Sequence, residues 1–320
     1  MDALSHVLTG PAARDAFVLR SSLDPPWAMR IEDESPLSVI TLLRGQAYIR
    51  PDDADPVLLR AGDVAIASGP RHYTVGDDPA TAPQVLIGRG QTCTMLTADV
   101  PKMSDVGVRT WGNSVDGATL MLNGTYETQS TVGRRLLGNL PGLIVAPREH
   151  VPLALIDYLG EQVTNDAPGQ DAVLDRMLDL ILIAVLRWWF ADRQRGASWF
   201  RAYADPAIGR ALRLMQEDPA APWTVARLGG ETGLSRAAFA RRFTELVGEP
   251  PMSFLTGWRL SLAADLLAEP GTTVAAVARK VGYATPFAFS TAFKRFHTVS
   301  PQQHREQSYP QGDLVAVDRG

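Results

Sequence analysis

The spacing of apolar residues along the chain changes character twice. Up to about Leu122, apolar and β-branched residues fall in short runs: Leu37 to Ile49, Val57 to Leu59, Val64 to Ala67, Val85 to Ile87 and Thr92 to Thr97. Ala61-Gly62-Asp63 and Gly69-Pro70 punctuate them. Strand-length runs bounded by glycine and proline turns predict an antiparallel sandwich or small barrel. After Tyr126 the period lengthens. Arg134 to Leu140 reads as a short amphipathic segment ended by Pro141, and Asn165 to Gly169 as a loop. Asp171 to Phe190 carries Val173, Leu174, Met177, Leu178, Ile181, Leu182, Val185, Leu186 and Trp189. Apolar positions three and four apart predict a long helix. It serves either as a core element of the first domain or as a subunit interface, because Trp188, Trp189 and Phe190 add apolar surface beyond what one small β domain covers. The expected assembly is a homodimer, with Leu178, Leu182 and Leu186 at the interface. Past a polar turn over Asp192 to Ser198, the chain from Asp205 onward reads as helical, with Pro219, Pro222, Gly248 to Pro251, Pro270-Gly271 and Pro301 as breaks.

The helical region repeats itself. Trp223 to Phe243 (WTVARLGGETGLSRAAFARRF) matches Thr273 to Phe293 (TVAAVARKVGYATPFAFSTAF). Val225, Leu228 and Gly233 lie 49 residues before Val274, Val277 and Gly282, whereas Phe239 and Phe243 lie 50 before Phe289 and Phe293. The extra residue therefore falls in the turn of the second copy. Each copy has the grammar of a helix-turn-helix, over 223–247 and 273–297. Thr224 or Thr273 caps a short first helix, Gly233 or Gly282 supplies a turn at positive φ, and Leu234 or Tyr283 plugs the interhelical angle. Ser235 or Thr285 caps the second helix, and Pro286 sits where its missing N–H costs nothing. The phenylalanine pairs, four residues apart, anchor one face inward.

The opposite face of the first such helix offers Arg236, Ala237, Ala240 and Arg241. An arginine held there can bond guanine O6 and N7 bidentately, and small alanines let the helix approach the groove. Arg242, beside Phe243, points to phosphate or solvent. The second helix offers Pro286, Phe287, Ser290 and Thr291, with Lys294 one turn on. That face suits apolar and phosphate contacts more than base discrimination.

Composition changes this picture little. The chain has 320 residues, 45% hydrophobic and 21% charged, enough for two domains of a globular protein. Its net charge of −4 argues at first against nucleic acid. The distribution is uneven: Asp205 to Tyr309 holds 12 Lys and Arg against 9 Asp and Glu, leaving 19 against 26 elsewhere. An electropositive module thus follows an acidic one. No apolar stretch is long enough for a bilayer and no secretory signal is visible in MDALSHVLTG, so a cytoplasmic protein without a membrane partner is expected.

The segments GLSRAAFARRFTELVGEPPMSFLTGWRLSLAADLL and VGYATPFAFSTAFKRFHTVSPQQHR resemble the DNA-binding domain of the AraC/XylS family over Ala207 to Arg305. The resemblance implies two helix-turn-helix subdomains joined by a linker helix, about Pro251 to Leu267, that bind successive major-groove segments. It places the base-reading positions on Arg236, Ala237, Ala240 and Arg241, and on Pro286, Phe287, Ser290 and Thr291. Trp258 and Arg259 match a family pair in the linker helix and read as packing residues. The chain departs from the pattern at Thr291, where arginine is common, at Thr298, where glycine is usual, and at Gly229, which replaces an alanine. LSVITLLRGQAYI, PVLLRAGDVAIASGPRHYTV, TLMLNGTYE and LLGNLPGLIVA resemble the cupin-like sensor domain of one AraC subgroup. The implied architecture is two-domain. Residues 1–200 form a mostly antiparallel β cupin-like barrel with flanking helices; residues 205–309 form an all-α domain of two helix-turn-helix subdomains. The implied function is a sequence-specific double-stranded DNA-binding transcription regulator controlled by a small effector of unknown identity, with RNA polymerase as a further candidate partner.

No catalytic set stands out. The strand after Gly45 has Gln46, Tyr48 and Arg50 but no histidine pair, His72 stands alone, and no cofactor or metal is expected. Cys93, the single cysteine, reads as a buried small hydrophobe and Arg134-Arg135 as a solvated turn. The alternatives are a cupin-type enzyme with an accessory DNA-binding domain, and a dimer module that senses nothing.

Overall fold

The computed structural model describes residues 16–97, 103–126, 131–132, 140–191 and 198–308. Arg134-Arg135 and the turn after Ala191 lie outside them. The contacts divide the described chain into two units: 16–126 with 140–191, and 198–308 together with Thr131 and Val132.

The first unit is two open sheets face to face. One is seven-stranded, in the order β10 (Ser104–Gly107), β11 (Thr110–Gly112), β1 (Ala16–Leu23), β12 (Thr119–Tyr126), β3 (Leu37–Arg44), β6 (Val64–Ser68), β13 (Leu143–Ala146). The other has six strands, in the order β5 (Val57–Arg60), β4 (Gln46–Pro51), β7 (Tyr73–Gly76), β2 (Ala28–Ile31), β8 (Val85–Gly88), β9 (Thr92–Met95). All pairings are antiparallel except β1 with β11 and β2 with β8. The barrel thus takes the form of a sandwich. The run from Leu37 to Ile49 is two strands, folded at Gly45 (φ 81°) into different sheets. Between the sheets lies a core that includes Leu23, Trp27, Ile40, Leu42, Ile49, Leu59, Val75 and Met121.

Six consecutive residues of β3, Leu37 to Leu42, are buried, so this sheet is covered on both faces. Its outer cover is α1 (Leu153–Gln162) and α2 (Gln170–Ala191). Leu178 rests over Gly124, and the Tyr126 hydroxyl donates to Asp179 at 3.2 Å. Burial pushes the carboxyl of Asp179 up; burial and that neighbouring charge push Tyr126 up as well. Leu178, Leu182 and Leu186 are at most 2% exposed, which corrects their expected place at a subunit interface. They cover their own sheet. The large apolar residues of α2 left exposed are Val173 and Leu180, 39% and 53% exposed. Cys93 corrects a second expectation: it lies exposed on the edge strand β9.

The second unit runs α3 (Ser198–Ala204), α4 (Pro206–Glu217), α5 (Val225–Glu231), α6 (Arg236–Val247), α7 (Pro251–Leu267), α8 (Val274–Lys280), α9 (Pro286–His297) and α10 (Pro301–Ser308). The four expected caps are formed: Thr224, Ser235, Thr273 and Thr285 accept backbone N–H bonds from Arg227, Ala238, Ala276 and Ala288 at 3.1–3.3 Å. Gly233 and Gly282 turn at φ 72° and 83°. Gly229 is needed where it stands, because a Cβ there would meet the Leu234 carbonyl oxygen at 2.9 Å.

The linker helix α7 is buried over most of its surface because both helix-turn-helix units pack on it. Phe254 meets Phe243 at 5.8 Å between ring centroids, and Leu260, Ala263, Ala264 and Leu267 join Phe289 and Phe293 in one cluster. Arg259 donates from Nε to the Pro219 carbonyl at 2.6 Å and from Nη2 to that of Ala221 at 2.9 Å. The turn of the second unit closes onto the same loop: a Cβ on Gly282 would lie 2.8 Å from Ala220 Cα and 3.0 Å from Arg259 Nη2.

Two outcomes are expected. Gly248 and Thr298, 50 residues apart and each capping a recognition helix, both adopt the left-handed conformation, at φ 88° and 66°. A β-branched residue is strained there by about 1–2 kcal/mol. Thr298→Gly should therefore raise the unfolding free energy by about 1 kcal/mol, part of the relief being lost to chain entropy, read as a higher urea midpoint at unchanged slope. Gly233, with nothing near its missing Cβ, and Gly282, with backbone against it, should separate in the same assay. Gly233→Ala should cost about 1–2 kcal/mol from φ alone, and Gly282→Ala at least ~1 kcal/mol more from overpacking.

Candidate nucleic-acid interface

Each recognition helix has one face fixed by aromatic packing and one face left to solvent. On α6, Phe239 and Phe243 are fully buried, 5.6 Å apart between ring centroids. Arg236, Ala237 and Arg241 are exposed opposite them, and Ala240 is half-buried. On α9, Phe289 and Phe293 repeat the packing at 5.5 Å, leaving Pro286, Phe287, Thr291 and Lys294 exposed and Ser290 half-buried. The structure thus brings the expected residues of each unit onto one outward surface.

The two surfaces differ chemically. The α6 face is cationic. Arg241 stands 3.8 Å from Glu245, a solvent-exposed pair one turn along the same helix and cheap to separate. The α9 face is dominated by Phe287, which is 83% exposed. Its Thr291 hydroxyl already donates to the Phe287 carbonyl at 3.0 Å, a back-bond within the helix. Lys294 extends past this face at the helix's last turn.

Arg242 is exposed to solvent, as expected, and also makes an ion pair. Its Nε donates to Asp205 Oδ2 at 2.9 Å, while Asp205 Oδ1 caps α4 by accepting from Ala207 and Ile208 at 3.0 and 2.9 Å. The hydrogen bond and charge of Asp205 hold the guanidinium above its ordinary pKa. Arg242 therefore ties α6 to α4 while about half of its side chain stays open to solvent. Asp205, 37 residues earlier, carries no local signal that could have revealed this, and neither do the carbonyl partners of Arg259.

The first unit contains a cavity of about 310 Å³ between its two sheets. Leu19, Met29, Ile40, Val75, Trp111 and Met121 form apolar wall, and Asp33, Gln91, Cys93 and Asp105 stand among its polar lining. Desolvation pushes the Cys93 thiol up, the opposite of what a reactive thiolate needs. His72 lies outside this cavity and bonds Glu34 at 2.9 Å. Among the described residues, no three His, Cys, Asp or Glu side chains converge as a metal site, and no helix is long and apolar enough to cross a membrane.

Residues 2–191 match the model of a cupin family, and residues 228–307 that of a helix-turn-helix domain. An AraC-like transcription regulator of Streptomyces lividans is 28% identical over 96% of this chain and 98% of its own length. One of Streptomyces antibioticus is 29% identical over 97% and 100%. The HTH-type transcriptional regulator AlkR of Acinetobacter baylyi (strain ATCC 33305 / BD413 / ADP1) is 27% identical over 96% and 100%. With the cupin match covering more than half of the chain and the helix-turn-helix match covering the repeated units, this chain is a member of the AraC/XylS family with an N-terminal cupin domain.

Proposed function

We propose that this chain is a transcription regulator that binds double-stranded operator DNA with two unequal reading heads, under control of a small molecule held in the cupin domain. The observation that carries the reading is the pair of capped helices, α6 and α9, packed on one linker helix with different chemistry outward. In this reading Arg241, with Arg236 beside it, bonds guanine in one major-groove segment while Ala237 and Ala240 permit close approach. Phe287 meets a thymine methyl in the next segment, about one helical turn away. Pro286, Ser290 and Thr291 shape that second surface, and Lys294 contacts phosphate. Arg242 serves as scaffold. The protein acts in the cytoplasm without catalysing a reaction, contacting RNA polymerase from its bound position.

The same reading includes a homodimer. Val173 and Leu180 are exposed apolar residues on the outer side of α2, opposite the residues that cover the sheet, with Arg176 between them. Light scattering at micromolar concentration should give a dimer, and Leu180→Glu should shift it toward monomer without unfolding. A wild-type monomer with full DNA affinity would contradict this.

Base reading is tested by titrating wild type, Arg241→Ala and Lys294→Ala against single-base variants of a selected site at fixed salt. Arg241→Ala should lose about 1–3 kcal/mol on the best site and flatten preference at one or two base pairs. Lys294→Ala should weaken all sequences alike and lower the salt slope by about one. If Arg241→Ala keeps the full set of mismatch penalties, Arg241 is not a base reader.

A further inference from the structure

The cavity between the sheets has a polarity that selects its occupant. Its wall is mostly hydrocarbon, and at about 310 Å³ it lies at the small end of ligand-sized pockets. Its ionisable lining is of one sign. Among the described lining residues, Asp33 and Asp105 are carboxylates, and no lysine, arginine or histidine faces them. An anion placed here would lie near two like charges, with no cation in the described lining to offset either.

Asp33 is held in position and is not saturated. Its Oδ1 accepts from the Ser35 backbone N–H at 3.0 Å; its Oδ2 accepts from the Ser35 hydroxyl at 2.7 Å and from Gln91 Nε2 at 3.0 Å. An ionised carboxylate offers about four acceptor positions. Three are filled by Ser35 and by Gln91 of the lining, which leaves one on Oδ1. Tyr73, in the same lining, is pushed up by burial and then by the Asp33 charge, so its hydroxyl stays neutral beside the carboxylate.

We infer that this cavity binds a compact lipophilic amine, its hydrocarbon body between the sheets and its N–H donated to Asp33. The inference rests on the reading of the cupin domain as an effector domain, and it names the class of effector. Cys93 provides a built-in reporter, since it lines the cavity, is exposed, and is the single cysteine of the chain.

The test uses the full chain and three molecules of one skeleton: phenylbutylamine, phenylbutanol and phenylbutanoate. Calorimetric titration at neutral pH should rank the amine first, the alcohol at least tenfold weaker, and the carboxylate without detectable binding. Saturating amine should slow alkylation of Cys93 several-fold. Asp33→Asn should cost the amine at least tenfold, leave the alcohol nearly unchanged, and so erase the preference between them. Should that variant not fold, the wild-type ranking and the Cys93 protection decide. A carboxylate that binds as well as the amine, no binding by any of the three, or an amine preference that survives Asp33→Asn would overturn the inference. DNA affinity, measured with and without amine, is a separate readout. Amine binding that leaves DNA affinity unchanged would refute the effector role and leave the ligand class standing.

Discussion

The guanidinium of Arg259 ties the two halves of the DNA-binding unit together. It projects from the linker helix and donates to the carbonyls of Pro219 and Ala221, just before the first scaffold helix begins. Burial lowers its pKa below the usual arginine value, yet the guanidinium remains charged because that value starts far above neutrality. Charge-assisted bonds to these part-buried carbonyls are stronger than neutral ones, and losing the donor would leave both acceptors without it. The loop so held is the surface on which the second turn closes, at Gly282. One side chain thereby couples linker helix, first unit and second turn. In the proposed function, two heads fixed in this way read one duplex as a pair, with a spacing set by the protein rather than by the DNA.

The cupin unit solves a different problem. Its seven-stranded sheet is apolar on both faces, so one face builds the core against the other sheet and the other needs a lid. The long helix supplies it through Leu178, Leu182 and Leu186, with the Tyr126–Asp179 hydrogen bond as its buried polar contact. The inner face is not filled completely. The space left between the sheets is the cavity proposed to hold the effector, lined by hydrocarbon and two carboxylates. In the proposed function, stability and sensing therefore draw on opposite faces of the same strands.

Much of the second unit was legible in the sequence because its determinants are local. Caps, turn glycines and the phenylalanine pairs act within a few residues, and the repeat displays each of them twice. Gly248 and Thr298 extend the correspondence to the helix ends. What escaped was non-local. Periodicity showed that the long helix has an apolar face, but not that its own sheet covers that face. The apolar run Leu37 to Ile49 concealed a change of sheet at Gly45. Arg242 stands at solvent as expected, but its ion pair with Asp205, 37 residues away at the cap of another helix, had no local signal. Cys93 was read as buried from residue type alone, whereas its strand lies at a sheet edge. The domain division hid a longer link: the backbone N–H groups of Thr131 and Val132 donate to Asp265 of the linker helix, at 2.5 and 3.1 Å. The cavity, built from side chains of many strands, has no sequence signature.

The central claim is that two heads of different chemistry are held at one fixed spacing. Footprinting of a selected duplex tests it most directly, by combining hydroxyl-radical cleavage, which reports backbone contact, with dimethyl sulfate, which reports guanine N7 in the major groove. The account predicts backbone protection in two segments about one helical turn apart on the same face, with N7 protection confined to the segment read by the arginine head. Protection of a single segment, of two segments on opposite faces, or of guanine N7 equally in both would contradict it.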